Sequence, residues 1–330
     1  MFFASMIDSN ARTNRPRAGR ESGGIRNQGE ELMIEKPLVE SQDLLNQPGA
    51  LRQRLAEDGY IFLRGLLDRA RLQGLRMEIL EICQKHGWLL PGTRLEEGKG
   101  RADAYSGYFE FTPVYREMQY LENFHALAHD PQILKTLETA LGGPVFPHAR
   151  NIARITLPGS SKMTTPSHQD YVFIQGSPEV YTVWFPLSDC PVALGGLGIA
   201  RGSHHAGIFP TKEAEGTGGL CADVDESKYE WHKGDFFLGD VIMFHSLTVH
   251  KAYDNTTADL LRLSCDFRYQ PFSAPQVVWD SFRPHMQHHG WENIYKNWKQ
   301  DSLRFYWHQY ALQLVPCVHP AQVKPTVKRG

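Results

Sequence analysis

His168 and Asp170, in Ser167-His168-Gln169-Asp170-Tyr171, are the residues whose types and spacing point most directly to chemistry. On an extended strand, side chains alternate, so residues two apart project to the same side. An imidazole and a carboxylate placed this way can take two adjacent positions on one metal ion. A second imidazole must then come from elsewhere, and His250 is the first candidate, closing Gly239-Asp240-Val241-Ile242-Met243-Phe244-His245-Ser246-Leu247-Thr248-Val249-His250. Two histidines and one carboxylate on one face of an octahedron leave three positions open, the donor set of ferrous oxygen chemistry. His245 competes for the third place, but it falls inside an apolar strand, where core packing or a place behind the ligands suits it better.

A His-x-Asp triplet alone is a weak signal. With 15 His and 37 acidic residues in the chain, about one such triplet is expected from random placement at ordinary composition. Its weight comes from the elements that must position it. From residue 148 onward the spacing predicts short strands at Ile152–Leu157, His168–Ile174, Val180–Phe185, Leu197–Ala200, Asp235–Leu238, Asp240–His245, Val249–Tyr253 and Leu260–Tyr269. Short strands punctuated by Gly, Pro and Asn suggest a sandwich or barrel, and a jelly roll is one such solution. Ahead of them, Pro48–Asp58 reads as a helix stopped by Gly59, and Tyr60–Leu63 as a strand. Asp68 caps a second helix carrying Leu72, Leu75, Ile79 and Ile82 at helical spacing, and Tyr115–Ala128 and Pro131–Leu141 read as two more.

Residues 88–113 carry Tyr105, Tyr108, Phe109 and Phe111 among glycines and charges, a loop suited to cover a substrate. The aromatic and His-rich stretch after 275 is expected to pack helices against the barrel. His285, His288, His289 and Glu292 could hold a metal there if the stretch is helical, but they suit surface or packing roles. Residues 1–35, with five arginines among Ser, Asn and Gly, read as a disordered tail, and Met33 is a candidate start. No linker interrupts the rest, so 36–330 is expected to form one mainly β domain with helical decoration and a jelly-roll core at about 148–270.

A formal charge of -2 offers no basic field to attract nucleic acid, and no apolar run approaches the roughly 20 residues that span a bilayer. Cys83, Cys190, Cys221, Cys265 and Cys317 are odd in number and lack a CxxC pair, which suggests reduced thiols in a cytoplasmic protein. Nothing in the sequence sets the oligomeric state.

Several segments in order resemble the phytanoyl-CoA dioxygenase family of Fe(II)/2-oxoglutarate oxygenases. They are Asp58-Gly59-Tyr60-Ile61-Phe62-Leu63-Arg64-Gly65, Thr182-Val183-Trp184-Phe185-Pro186-Leu187-Ser188-Asp189, Gly195-Gly196-Leu197 with Arg201-Gly202-Ser203-His204, Gly239-Asp240-Val241 with His250, and Arg262-Leu263-Ser264. The resemblance runs from about residue 48 to 270. It implies a double-stranded β-helix, the jelly roll of the cupins, with His168, Asp170 and His250 as iron ligands. It places Arg262 at the distal carboxylate of 2-oxoglutarate, a partner that suits a guanidinium fork which never loses its charge.

Gln169 and Trp184 match family positions near this cosubstrate, although Trp184 would equally serve as core. Many members carry Ser two residues after the distal histidine; here Ala252 stands there, so Ser264 or Thr182 would have to supply that hydrogen bond. On a strand, Arg262, Ser264, Asp266 and Arg268 share one face, and Arg268 could pair with Asp266 or with an acidic substrate.

The implied reaction consumes 2-oxoglutarate and O2, releases succinate and CO2, and hydroxylates a small molecule; the presence of Asp170 favours hydroxylation over halogenation. A metabolite, an amino-acid derivative or a lipid-like acid are all possible substrates. The ending Val327-Lys328-Arg329-Gly330 lacks a peroxisomal tripeptide. The alternative from another class is a non-catalytic cupin-like binding protein, which loss of a ligand or of Arg262 would have favoured; all four positions are filled.

Overall fold

The computed structural model describes residues 33–105, 107–160, 164–286 and 289–327. Its strands are β1 (Ile34–Pro37), β2 (Tyr60–Leu63), β3 (Val145–Pro147), β4 (Ile152–Thr156), β5 (Tyr181–Pro186), β6 (Leu197–Ala200), β7 (Thr211–Glu213), β8 (Leu220–Ala222), β9 (Glu230–Lys233), β10 (Val241–His245), β11 (His250–Ala252), β12 (Arg262–Pro271), β13 (Gln276–Val278) and β14 (Gln313–Val315). A six-stranded sheet runs β2-β10-β5-β12-β3, with β4 also paired to β12, and a four-stranded sheet runs β1-β9-β6-β11. This is the jelly-roll arrangement of two sheets with a cleft between them.

Strand β12 shows how the sequence divides the two sides of the large sheet. All ten of its residues are buried. Leu263, Cys265, Phe267 and Tyr269 enter the main apolar core, together with Leu72, Leu75 and Ile79 of the helix α2 (Arg69–Lys85) and Ile133 and Leu137 of α5 (Pro131–Leu141). The alternating residues Arg262, Asp266 and Arg268 line the cleft. A central strand covered on both faces has no solvated side, so its polar face must find partners inside the protein.

The helices begin and end where their cap residues dictate. Helix α1 (Pro48–Asp58) stops at Gly59, whose left-handed φ of 78° suits glycine. A Cβ there would also lie 2.6 Å from His204 and 2.7 Å from Thr248. Asp68 accepts a 2.9 Å hydrogen bond from the Arg71 amide at the start of α2, and Asp130 accepts one from the Gln132 amide at the start of α5. No helix among the described residues is long and apolar enough to cross a membrane.

Several expected elements differ. Residues 1–32 of the expected tail lie outside the described residues, whereas Ile34 and Glu35, at its end, pair in parallel with Glu230 and Trp231. The expected strand at Asp235–Leu238 is displaced to Glu230–Lys233. Asp240 explains the change: its carboxylate accepts from the Gly65 and Phe237 amides and folds the chain into a turn at Gly239. His168–Ile174 is likewise not a strand. Only His168 bridges to a neighbour, and the Asp170 carbonyl accepts from the Phe173 and Ile174 amides to begin the single turn α6 (Tyr171–Ile174).

The expected loop at 88–113 gives way at Tyr108 to α3 (Tyr108–Gln119), followed by α4 (Glu122–Ala126). Trp88, Tyr105, Phe111 and Tyr115 stack in sequence at 4.8–5.3 Å, and the Tyr105 hydroxyl donates to the Ile155 carbonyl. The bridge Leu89–Gly100 closes the segment on itself, and Lys99–Leu260 ties it to the body. The aromatic tail packs mostly as short turns, with one α-helical turn, α7 (Trp291–Ile294), around Phe146, Phe282, Trp298 and Trp307.

Candidate active site

His168 and His250 stand opposite each other, joined by a pair of backbone hydrogen bonds of 2.9 and 3.0 Å. This pairing fixes one imidazole against the other, with ring centroids 4.1 Å apart. Asp170 reaches the same point by the turn that opens α6, not by strand alternation. Its Oδ1 lies 3.6 Å from His168 Nε2 and 3.9 Å from His250 Nε2. All three side chains are buried. Among the described residues this is the one trio of His, Cys, Asp or Glu whose ligand atoms converge.

The imidazoles are oriented for metal. His168 Nδ1 lies 2.8 Å from the Pro166 carbonyl, and His250 Nδ1 lies 3.0 Å from that of Thr248. A carbonyl can only accept, so each Nδ1 carries the proton and each Nε2 presents a lone pair to the shared point. Burial, reinforced by the neighbouring His168, pushes the His250 pKa down to about 3, so it stays neutral as a ligand must. With metal–ligand bonds of about 2.1 Å, adjacent donors of an octahedron are about 3 Å apart. The ligand atoms of the trio lie within 4.8 Å of one another, so loading would draw them closer together.

Asp170 is held from behind by β5 and β12. The Thr182 hydroxyl donates to Oδ2, and Arg268 Nη2 lies 3.2 and 3.1 Å from the two carboxylate oxygens. Burial alone would raise the acid's pKa; Arg268 and then the two histidines outweigh it and hold the group well below the usual carboxylate range. Arg268 also faces Asp266 at 3.8 Å, and Asp266 accepts from Arg154 Nε at 2.5 Å. An alternating row of acid and base thus runs back from the ligand carboxylate.

Farther along the same face of β12, Arg262 is buried and donates to the Gly195 carbonyl at 2.6 Å and to Thr156 Oγ1 at 2.6 and 3.2 Å. Gly195, at φ 83°, leaves no room for a Cβ against the Tyr253 carbonyl. No carboxylate pairs with Arg262 among the described residues, and burial lowers its pKa. Two buried donors beside it also lack a protein acceptor: Trp184 Nε1 and Ser264 Oγ. A buried guanidinium and two unanswered donors make a site for an anion. The cleft that Arg262 and Trp184 share with His168, Thr182, His250 and Arg268 encloses about 330 Å³, counting its open mouth.

The structure does not bring every expected residue to this cleft. Gln169 turns away: its amide donates to the Gly207 and Leu247 carbonyls, and its Oε1 accepts from the Phe209 amide. It cross-braces loops and has no donor left for a cosubstrate. Thr182 spends its hydroxyl on Asp170. Trp184 packs against Phe236 at 4.8 Å, as core, and also lines the cleft. His245 points to Glu179, 3.8 Å away, and stays outside the trio. His285 pairs with the Tyr115 hydroxyl in a turn, not a helix, and His289 rests against Tyr120; His288 lies outside the described residues.

Arg154 and Thr156 carried no expectation from the sequence; Arg268 faces Asp266, as expected, and also Asp170, which was not expected. The signal was present in part, since Arg268 alternates with Arg262. Arg154 and Thr156 became legible only through the register that sets β4 against β12.

Two histidines and a carboxylate converging between jelly-roll sheets, with an anion site along the same cleft, define a non-haem iron oxygenase that uses a dicarboxylate cosubstrate. The family model for phytanoyl-CoA dioxygenase matches residues 55–264, and the chain belongs to that family. It is 29% identical over 249 residues to 1-deoxypentalenic acid 11-beta-hydroxylase of Streptomyces exfoliatus, covering 72% of this chain and 86% of that protein. It is 24% identical over 227 residues to the peroxisomal phytanoyl-CoA dioxygenase of Homo sapiens, covering 66% and 67%. A solved apo structure described as ThoJ, a non-heme monooxygenase, shares the fold with a TM-score of 0.50 at 22% identity, covering 67% of this chain and 77% of that one. The chain is an Fe(II)- and 2-oxoglutarate-dependent dioxygenase that hydroxylates a small molecule, consuming O2 and releasing succinate and CO2.

Proposed function

We propose that His168, Asp170 and His250 hold the Fe(II), that Arg262 with Ser264 and Trp184 takes the distal carboxylate of 2-oxoglutarate, and that the substrate is a compact, largely apolar acid. The observation that carries the residue assignment is Arg262: a buried guanidinium with no carboxylate partner, on the strand face that also reaches Asp170 through Arg268. Bound iron and 2-oxoglutarate supply the oxidising power. The chain supplies position. The two Nδ1–H···O=C bonds fix the imidazole planes, Thr182 and Arg268 keep Asp170 ionised and aimed, and the apolar walls Leu197 and Phe244 exclude water from the cleft.

The substrate class is supported by the relative named for action on 1-deoxypentalenic acid. Residues 36–330 work as one catalytic domain, and cytoplasmic residence fits the reduced thiols. The test is an aerobic incubation with Fe(II), 2-oxoglutarate and a panel of polycyclic and branched aliphatic acids, reading succinate and product mass. One acid should gain a single oxygen in step with succinate. Stimulation by neutral or cationic compounds alone would overturn the substrate class.

A further inference from the structure

His250 opens the edge strand β11, paired with β6, while His168 lies on the segment beyond that edge. His168 is an isolated bridge partner, and its segment is tied to β11 by the two bonds between His168 and His250 and one from the Ala252 amide to the Thr165 carbonyl. The Ala222 amide also donates to the Ser167 carbonyl, and side chains of neighbouring segments can brace the arms further from outside. One residue does so on both arms.

Glu226 lies in the short turn Glu226–Lys228 between β8 and β9. Its Oε1 accepts from the hydroxyl of Ser167 at 2.5 Å, the residue just before His168. Its Oε2 accepts from the ammonium of Lys251 at 2.5 Å, the residue just after His250. Because side chains alternate along an extended chain, the neighbours of the two inward-facing ligands face outward together, and a single carboxylate can clasp both. The clasp is itself fixed: Trp231 Nε1 donates to the Glu226 carbonyl at 3.1 Å, and the Trp231 ring lies 4.2 Å beneath the Lys251 ammonium. Trp231 is fully buried in β9. Lys251 is largely covered, with 15% of its side chain exposed, and Glu226 keeps 31%, so the ion pair is partly shielded from solvent and salt.

We propose that Glu226 is a positioning residue for the iron site: it holds the His168 and His250 arms at the separation that the metal requires. It touches neither metal nor cosubstrate and does not line the cleft. The inference rests on the reading of His168, Asp170 and His250 as the metal ligands. Charge matters on both sides of the clasp. A glutamine at 226 can still accept from Ser167, but its amide nitrogen cannot accept from Lys251.

The test measures anaerobic binding of Fe(II) and of Co(II) to the full chain, wild type against Glu226→Gln, Glu226→Ala, Ser167→Ala, Lys251→Met and Lys251→Arg. Hydrogen exchange at the His168 and His250 amides is followed in the metal-free proteins. Groups that directly support metal ligands change metal affinity by about 10–100-fold, and a brace one residue removed is expected to fall below that range, about 5–10-fold weaker binding for Glu226→Ala. Lys251→Arg should restore most of the affinity that Lys251→Met loses. The Glu226→Ala/Lys251→Met pair should be no worse than Glu226→Ala alone, since both remove one clasp. Exchange at the two histidine amides should quicken while the global unfolding midpoint stays near wild type. A merely structural role would move that midpoint and leave folded-state affinity unchanged. Wild-type affinity and exchange in folded Glu226→Ala would overturn the brace while leaving the ligands in place. A wild type that binds neither ion would overturn both the brace and the ligand assignment.

Discussion

His250 and His125 are both buried, and burial pushes the pKa of each down to about 3, yet they do opposite work. His125 sits against the aromatic cluster outside the large sheet, beside Phe124, Trp291 and Trp298. Its Nε2 donates to the Gln119 carbonyl, and its Nδ1 accepts from the Asn151 amide. Both nitrogens are answered by protein, and the ring is a fixed part of the core. His250 gives only Nδ1 to protein and turns Nε2 toward His168 and Asp170. Burial therefore makes a histidine neutral in either place; what makes a ligand is a second nitrogen left open and aimed at other donors. The same contrast separates the two faces of β12, where Leu263 and Phe267 are satisfied by packing while Arg262 lacks a carboxylate.

The comparison breaks most sharply at the ligands. His250→Ala should lose Fe(II) retention outright, a larger effect than the about 10–100-fold cost of losing a supporting group, while His125→Gln should keep wild-type iron binding; equilibrium dialysis of both variants checks this. Arg262→Ala should raise the KM for 2-oxoglutarate by about 10–100-fold, since a hydrogen-bonded contact to a charged group contributes about 1.5–3 kcal/mol. Iron affinity in its absence should be unchanged, and steady-state kinetics beside metal titration would show the split.

Next comes the support behind Asp170. Thr182→Val removes the hydroxyl donated to the carboxylate, and about tenfold weaker iron binding is expected, with a smaller change in the KM for 2-oxoglutarate.

The effect that leaves the metal site untouched belongs to the structural histidines and is read in stability. His125 and His148 have folded pKa values pushed down by burial to about 3 and about 4, below the unfolded value of 6.5. The unfolded chain therefore takes up their protons first as pH falls. Their contribution is complete above about pH 6.5 and is lost as the pH drops from there through 4 and 3. At pH 5 each should cost about 2 kcal/mol relative to pH 7, readable as a lower urea midpoint for the metal-free protein. An unchanged midpoint between pH 7 and 5 would mean that these rings charge within the fold.

Much of this contrast was legible in the sequence. Helices at Pro48–Asp58 and Pro131–Leu141 end at glycines and start at prolines, local signals that tertiary structure did not override. The alternation placed Arg262, Ser264, Asp266 and Arg268 on one face of β12 before any partner was known, and three of them line the cleft. Spacing also picked His168 and Asp170, though the physical reason differed, because a turn rather than strand alternation brings the carboxylate round. What stayed hidden depends on long-range register. Arg154 reaches Asp266 only because β4 lies beside β12, and Glu226 meets Ser167 and Lys251 from 59 and 25 residues away. Gln169 looked like a cosubstrate ligand from its neighbours in sequence; three backbone groups of distant loops claim it instead.

The most direct test of the central assignment is an anaerobic visible spectrum of the purified protein. Fe(II) and then 2-oxoglutarate are added to the wild type, His250→Ala and Arg262→Ala. The wild type should develop a weak charge-transfer band only after both additions, absent in His250→Ala and greatly reduced in Arg262→Ala at the same cosubstrate concentration. A folded wild type that retains no iron and shows no band, or a His250→Ala variant that keeps the full band, would contradict the account.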